Sequence, residues 1–128
     1  MKFHISCTNE EKLTNHCIAR DWDDICSTLR VLKEGRGTFD IRLIDAPDPG
    51  PISMQLRAEK RKYLVTLLEA SEDDTEVRDY TNPNAPHEMV EILGDRWDAR
   101  FLVDDFDLVL TFFKEFFETG DVSRERLS

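Results

Sequence analysis

A chain of 128 residues with 27 Asp and Glu against 17 Lys and Arg carries a formal net charge of −10. A field of that sign repels nucleic acid and anionic membrane, and it draws basic partners over a Debye length of about 8–10 Å. The length suits one domain over residues 1–128, able to bury a core without a disulfide or metal staple.

No run of 18 apolar residues occurs, so no transmembrane helix is expected. The opening stretch Met1–Cys7 lacks the long apolar core of a signal peptide, and the expected location is the cytoplasm. Cys7, Cys17 and Cys26 are odd in number, which suits reduced thiols better than a disulfide framework. Cys7 and Cys26 read as small core residues. His16 and Cys17 are immediate neighbours, without the spacing of a zinc knuckle, so no metal is expected.

The first predicted element is a strand over Lys2–Cys7, with Phe3, Ile5 and Cys7 on one face. His16–Ala19 reads as a short second strand that makes a hairpin with it. Trp22, Ile25, Leu29 and Leu32 then draw an apolar stripe at helical spacing. Asp21 is the expected N-cap, Asp23 and Asp24 complement the positive helix end, and Gly35 is the expected left-handed stop. Trp22 is read as an anchor on the core.

After Gly37 the period changes to two. Phe39, Ile41 and Leu43 mark one strand, and Ile52, Met54, Leu56 and Ala58 mark the next, across a proline-rich turn at Asp45–Pro51. A basic turn at Lys60–Lys62 leads to Tyr63–Leu68, which is apolar on both faces and so predicts a central strand with a helix over one side. Ser71–Asp74 is an acidic turn before a strand over Glu76–Tyr80. Thr81–His87 is a loop. Strands over Met89–Leu93 and Trp97–Val103 follow, separated by Gly94-Asp95-Arg96.

The last element is a helix opened by Asp104-Asp105 and ended by Gly120. Phe106, Val109, Leu110, Phe113, Phe116 and Phe117 form its core face, while Leu108 and Phe112 drift off that face. Val122–Ser128 reads as a charged tail. Short strands joined by tight turns predict an α+β fold, an antiparallel sheet of about six strands with two helices packed on it.

Nothing in this pattern predicts a catalytic residue or a cofactor. His4, His16 and His87 are far apart, no Gly-x-Ser-x-Gly elbow is present, and the five glycines are scattered at turns. Lys60–Lys62 is a single basic turn on a strongly negative body, too little for nucleic acid. The acids do cluster. Glu69, Glu72, Asp73, Asp74, Glu76 and Asp79 crowd one hairpin with only Arg78 to balance them. Asp95, Asp98, Asp104, Asp105 and Asp107 form a second group. Such clusters are either a solvated rim or a patch that steers a basic protein. Read as a patch, the first expected contact surface is Glu72, Asp73, Asp74, Glu76 and Asp79, and the second is Asp95, Asp98 and Asp105.

Trp22-Asp23-Asp24-Ile25 opens the first helix. Phe101-Leu102-Val103-Asp104-Asp105 leads into a helix that closes on Phe116-Phe117-Glu118-Thr119-Gly120-Asp121. With this layout the chain resembles the small bacterial immunity proteins of contact-dependent growth-inhibition and polymorphic-toxin systems. The resemblance implies a cytoplasmic protein that binds a cognate toxin domain, often a basic nuclease, and blocks it stoichiometrically. It transfers no catalytic residue. The alternative is an adaptor or subunit of a larger assembly, with Leu108 and Phe112 as its hydrophobic contact. A small enzyme with an unrecognised site is the third reading.

Overall fold

Period-two burial builds the sheet. The computed structural model describes residues 1–9 and 14–128. In chain order the elements are β1 (Phe3–Thr8), β2 (Thr14–Ile18), α1 (Trp22–Arg30), β3 (Gly37–Leu43), β4 (Gly50–Glu59), β5 (Lys62–Ala70) and β6 (Thr75–Asp79). They continue with β7 (Met89–Ile92), β8 (Asp95–Asp98), β9 (Leu102–Val103) and α2 (Phe106–Thr119). The main sheet runs β2-β1-β3-β4-β5-β6 and is antiparallel throughout, with β9 added to β5 beside β6. The expected α+β fold is therefore present, as is the hairpin between the first two strands.

One face of the sheet carries the core. Phe3, Ile5, Phe39, Ile41, Met54, Leu56, Val65 and Leu67 are buried there beneath the helices. Asp21 caps α1, its carboxylate accepting from the Asp24 N–H at 3.0 Å. Asp105 caps α2 in the same manner, and Gly120 ends it with φ 80, a left-handed conformation that a side chain would resist. The phenylalanines of α2 meet the sheet ring against ring. Phe39 and Phe113 pack edge-on with centroids 5.4 Å apart, and Phe3 and Phe116 lie 5.6 Å apart.

Four sequence expectations are corrected. Helix α1 stops at Arg30, and Gly35 is not its left-handed stop. The chain instead tightens into i→i−3 bonds, Leu32 N–H to Leu29 C=O at 2.9 Å and Lys33 N–H to Arg30 C=O at 3.2 Å, which swings Leu32 into the core. Trp97–Val103 is not one strand. The Asp98 carboxylate accepts from the Arg100 N–H and starts a 3-10 turn at Ala99–Phe101, which turns the chain off β8 and onto the edge of β5.

The third correction is Phe112, which is 1% exposed and packs on Tyr80 at 5.9 Å; Leu108 is half-buried against the core. A helix laid on a broad sheet is covered over a wide arc, so a side chain beside the central stripe is still enclosed. The fourth is the terminal segment, because Val122 and Leu127 are core residues. Asp79 and Ser128 exchange backbone hydrogen bonds of 3.2 and 3.1 Å, which closes part of the β6 edge. Among the cysteines, Cys7 is buried, Cys26 half-buried and Cys17 exposed. Burial pushes the Cys7 thiol above its ordinary pKa, which makes it a poor nucleophile.

Candidate functional site

The helices leave the opposite face of the sheet uncovered, and strand register sorts its side chains into rows. Asp79, Thr66, Gln55, Asp40, Ser6 and His16 are successive cross-strand partners. Val77, Leu68, Ser53, Arg42, His4 and Ile18 form the next row, and Leu64, Arg57 and Thr38 a third. This face follows directly from alternation, since paired residues share a side of the sheet.

The β7–β8 hairpin leans over one end of it. The Leu93 N–H donates to the Glu59 carboxylate at 3.0 Å, and Leu64, Ile92 and Leu102 form a small second core beneath Trp97 and Phe101. The Arg57 guanidinium stands 5.8 Å from the Trp97 ring centroid. Strands and hairpin together bound a groove of about 390 Å³, walled by Leu64, Leu68, Val77 and Trp97 and floored by polar groups including Asp40, Arg42, Gln55 and Arg57. The groove adjoins both expected acidic surfaces at its edges: Thr66 pairs with Asp79, Val77 neighbours Glu76, Trp97 neighbours Asp98, and Arg57 lies 3.9 Å from Asp95.

Desolvation pushes the Asp40 carboxyl above the ordinary range, and the charges of Arg42 and His4 only partly oppose it. A raised carboxyl pKa favours the protonated form in the folded protein. Its contribution to stability is then complete below the unfolded value and lost as pH rises through the folded one. Asp40→Asn is therefore expected to raise Tm at pH 7. The difference from the parent should shrink below about pH 4, near the unfolded carboxyl value. Thermal melts across pH read this directly, and a lower Tm at neutral pH for the variant would contradict it.

The acidic residues are distributed differently from the sequence expectation. Glu72, Asp73 and Asp74 sit on the β5–β6 turn and Glu76 on β6, all exposed. The turn is well bound, with the Ser71 N–H donating to the Asp74 C=O at 2.8 Å and the Asp74 carboxylate accepting from the Thr75 N–H at 2.7 Å. Among the described residues no cation forms an ion pair with Glu72, Asp73, Asp74 or Glu76.

Arg78 does not balance this tip. Its side chain is 3% exposed and points under the sheet, bound to Glu69 at 3.3 Å and Asp121 at 2.9 Å. Asp79 alternates onto the uncovered face, half-buried, with its carboxyl pushed up by desolvation. It is thus parted from the other four.

In the second group Asp95 and Asp98 face cations and Asp105 caps a helix, while Asp104 and Asp107 stand exposed with no ion pair among the described residues. Asp95 lies 3.9 Å from Arg57. Asp98 is gripped by Arg100 at 3.2 Å, and that side-chain hydrogen bond, with the backbone one, lowers its carboxyl pKa. Asp105 is spent on the α2 cap, accepting from the Asp107 N–H at 3.0 Å. β9, just before Asp105, pairs with Tyr63 and Leu64. From Leu64 to Ala70, where the acidic turn begins, β5 rises about 20 Å. The two acidic groups therefore lie at opposite ends of one strand and form no common patch.

Sequence reasoning passed over the groove around Asp40, Arg42, Arg57 and Trp97. The outward alternation of Asp40, Arg42, Ser53, Gln55 and Arg57 was visible as a polar face. Nothing local indicated that a hairpin with a separate ladder would lean on it.

No group of three or more His, Cys, Asp or Glu able to hold a metal ion occurs among the described residues. No described helix is long and apolar enough to cross a membrane.

Against known proteins, a family model described as a family of unknown function, DUF6911, matches residues 1–126. No curated protein matches the chain. Among solved structures, a hypothetical protein from Neisseria gonorrhoeae is similar, with TM-score 0.78 and 19% identity over 95% of this chain and 90% of that one. At that identity the likeness speaks for the fold alone.

Proposed function

The chain belongs to DUF6911, a family of unknown function, and for this member we propose the role of a cytoplasmic immunity-type protein that binds and neutralises a basic toxin domain stoichiometrically. The observation that carries this reading is the β5–β6 tip, where Glu72, Asp73, Asp74 and Glu76 stand exposed and without ion-pair partners among the described residues. The nearest acid, Glu69, is occupied by Arg78 and Arg124, so the tip is held on a braced hairpin. Carboxylates presented in this way accelerate encounter with a basic surface and then pair with its Lys and Arg side chains at little reorganisation cost. Asp98 and Asp105 have internal duties, and Asp95 faces Arg57 at 3.9 Å, which favours the tip as the contact. The adaptor reading loses the contact it relied on, because Phe112 lies within the core.

The test is co-expression of the tagged chain with a candidate basic toxin domain from the same genome, followed by elution at low and high salt. A one-to-one complex loosened by salt is the expected result. In the variant Glu72→Gln, Asp73→Asn, Asp74→Asn, Glu76→Gln, association at low salt should slow by about tenfold or more, and most of its salt dependence should vanish. A complex indifferent to both salt and the four substitutions removes the tip from the interface. No complex at either salt overturns the function.

A further inference from the structure

We propose that the groove between the uncovered sheet face and the β7–β8 hairpin binds a small organic carboxylate with an apolar body. Its volume of about 390 Å³ lies within the range of small-molecule sites, about 300–1,000 Å³. The lining joins the two features such sites combine, an apolar wall and a few converging polar groups. Leu64, Leu68, Val77 and Trp97 supply the wall, and Val77 keeps 62% of its surface exposed at the rim.

The polar side is rich in donors. In so acidic a chain most arginines hold a carboxylate, but Arg42, like Arg30 and Arg96 elsewhere on the surface, holds none among the described residues. Arg57 stands over the Trp97 ring, with Asp95 at the edge of ion-pair distance, 3.9 Å. The Trp97 indole N–H is buried, with no hydrogen-bond partner among the described residues, so Trp97 meets the groove through its ring. A protein of net charge −10 thus keeps, at the centre of one face, a groove whose lining holds Arg42 and Arg57 against the single acid Asp40. A guanidinium fork matches a carboxylate in a bidentate fashion, and an apolar tail fits the wall opposite. The site lies on the sheet face away from the helices and does not depend on the acidic tip, so it stands or falls separately from the toxin-binding reading.

The chain contains two tryptophans, so its indole N–H groups give two NMR signals. Trp97 walls the groove, while Trp22 packs on Phe117 under the other face, with centroids 6.3 Å apart, and serves as the internal control. The probes are 4-phenylbutyrate, its neutral alcohol 4-phenylbutanol, and inorganic phosphate, each titrated to about 10 mM. Phenylbutyrate is expected to shift the Trp97 signal saturably and leave Trp22 in place. Arg42 is exposed, so Arg42→Gln should fold normally and weaken the binding by about tenfold, as loss of a charged hydrogen bond does. The proposal is overturned by an unmoved Trp97 signal, by equal binding of the alcohol, by unchanged affinity in Arg42→Gln, or by phosphate binding as well as phenylbutyrate does.

Discussion

Arg78→Met is expected to destabilise the fold by about 3–5 kcal/mol and to release the C-terminal segment, because it removes one partner from a buried charged network. The guanidinium donates through Nε and Nη2 to the Leu127 carbonyl at 3.1 and 2.9 Å and through Nη2 to the Val122 carbonyl. Through Nη1 it reaches Asp121 at 2.9 Å and Glu69 at 3.3 Å. One side chain therefore ties β6, the end of β5 and the segment after α2 together. Methionine fills similar space but leaves two buried carbonyls without their donor and Glu69, largely buried, with only Arg124 at 2.8 Å among the described residues.

Urea unfolding measures the loss, and amide exchange over residues 122–128 reports the release. Arg78→Lys should recover only part of the stability, since an ammonium lacks the planar fork that serves several acceptors at once. A loss below about 1 kcal/mol for Arg78→Met would mean the network is replaceable, as some buried ion networks are. The same substitution bears on function. With β6 loosened, the tip at Glu72–Asp74 should bind a basic partner more slowly, even though none of its carboxylates has changed.

Phe113→Ala should cost a comparable amount, about 3–5 kcal/mol, through lost burial and the cavity that remains. Phe113 is fully buried at the centre of the helix–sheet interface, edge-on to Phe39. Phe117, half-buried between Phe3 and Trp22, should tolerate the same change at a clearly smaller cost. Chemical denaturation of the two variants side by side gives the comparison. Equal losses would show that the periphery of α2 is packed as tightly as its centre.

How much of this was legible in the sequence depends on the range of the forces involved. β6 is the clearest case. Its one apolar residue, Val77, faces out, and its one cation, Arg78, faces in, because pairing of Leu67 with Arg78 sets the register. A local reading places the apolar residue inside and leaves the cation to neutralise its acidic neighbours. The true arrangement is explained by Val122, Leu127 and Asp121, whose positions depend on how the chain returns after α2. The same holds for Phe112, whose enclosure depends on Tyr80, far away in sequence.

The acidic surface divides along similar lines. That Glu72, Asp73, Asp74 and Glu76 lie close together follows from chain proximity on one turn, and this much of the candidate site could be read directly. That Asp79 faces the other way follows from alternation, and the charge count alone hid it. The approach of Arg57 to Asp95 depends on a distance between elements, whereas the Asp98–Arg100 pair and the Asp105 cap are local contacts that the charge count did not reveal.

The amino-acid sequence by itself determined the α+β class, the caps at Asp21 and Gly120, the start of the last helix at Asp104 or Asp105, the inward faces of the long strands and the core stripe of each helix. These are set by local geometry, by the alternation of side chains along a strand and the turn of the helix. Only the tertiary structure decided the burial of Arg78, the docking of the last residues, the separation of the acidic groups and the groove beneath Trp97. Each arises from contacts between segments distant in the chain, where register and the path of the connections choose among arrangements that local patterns leave equivalent.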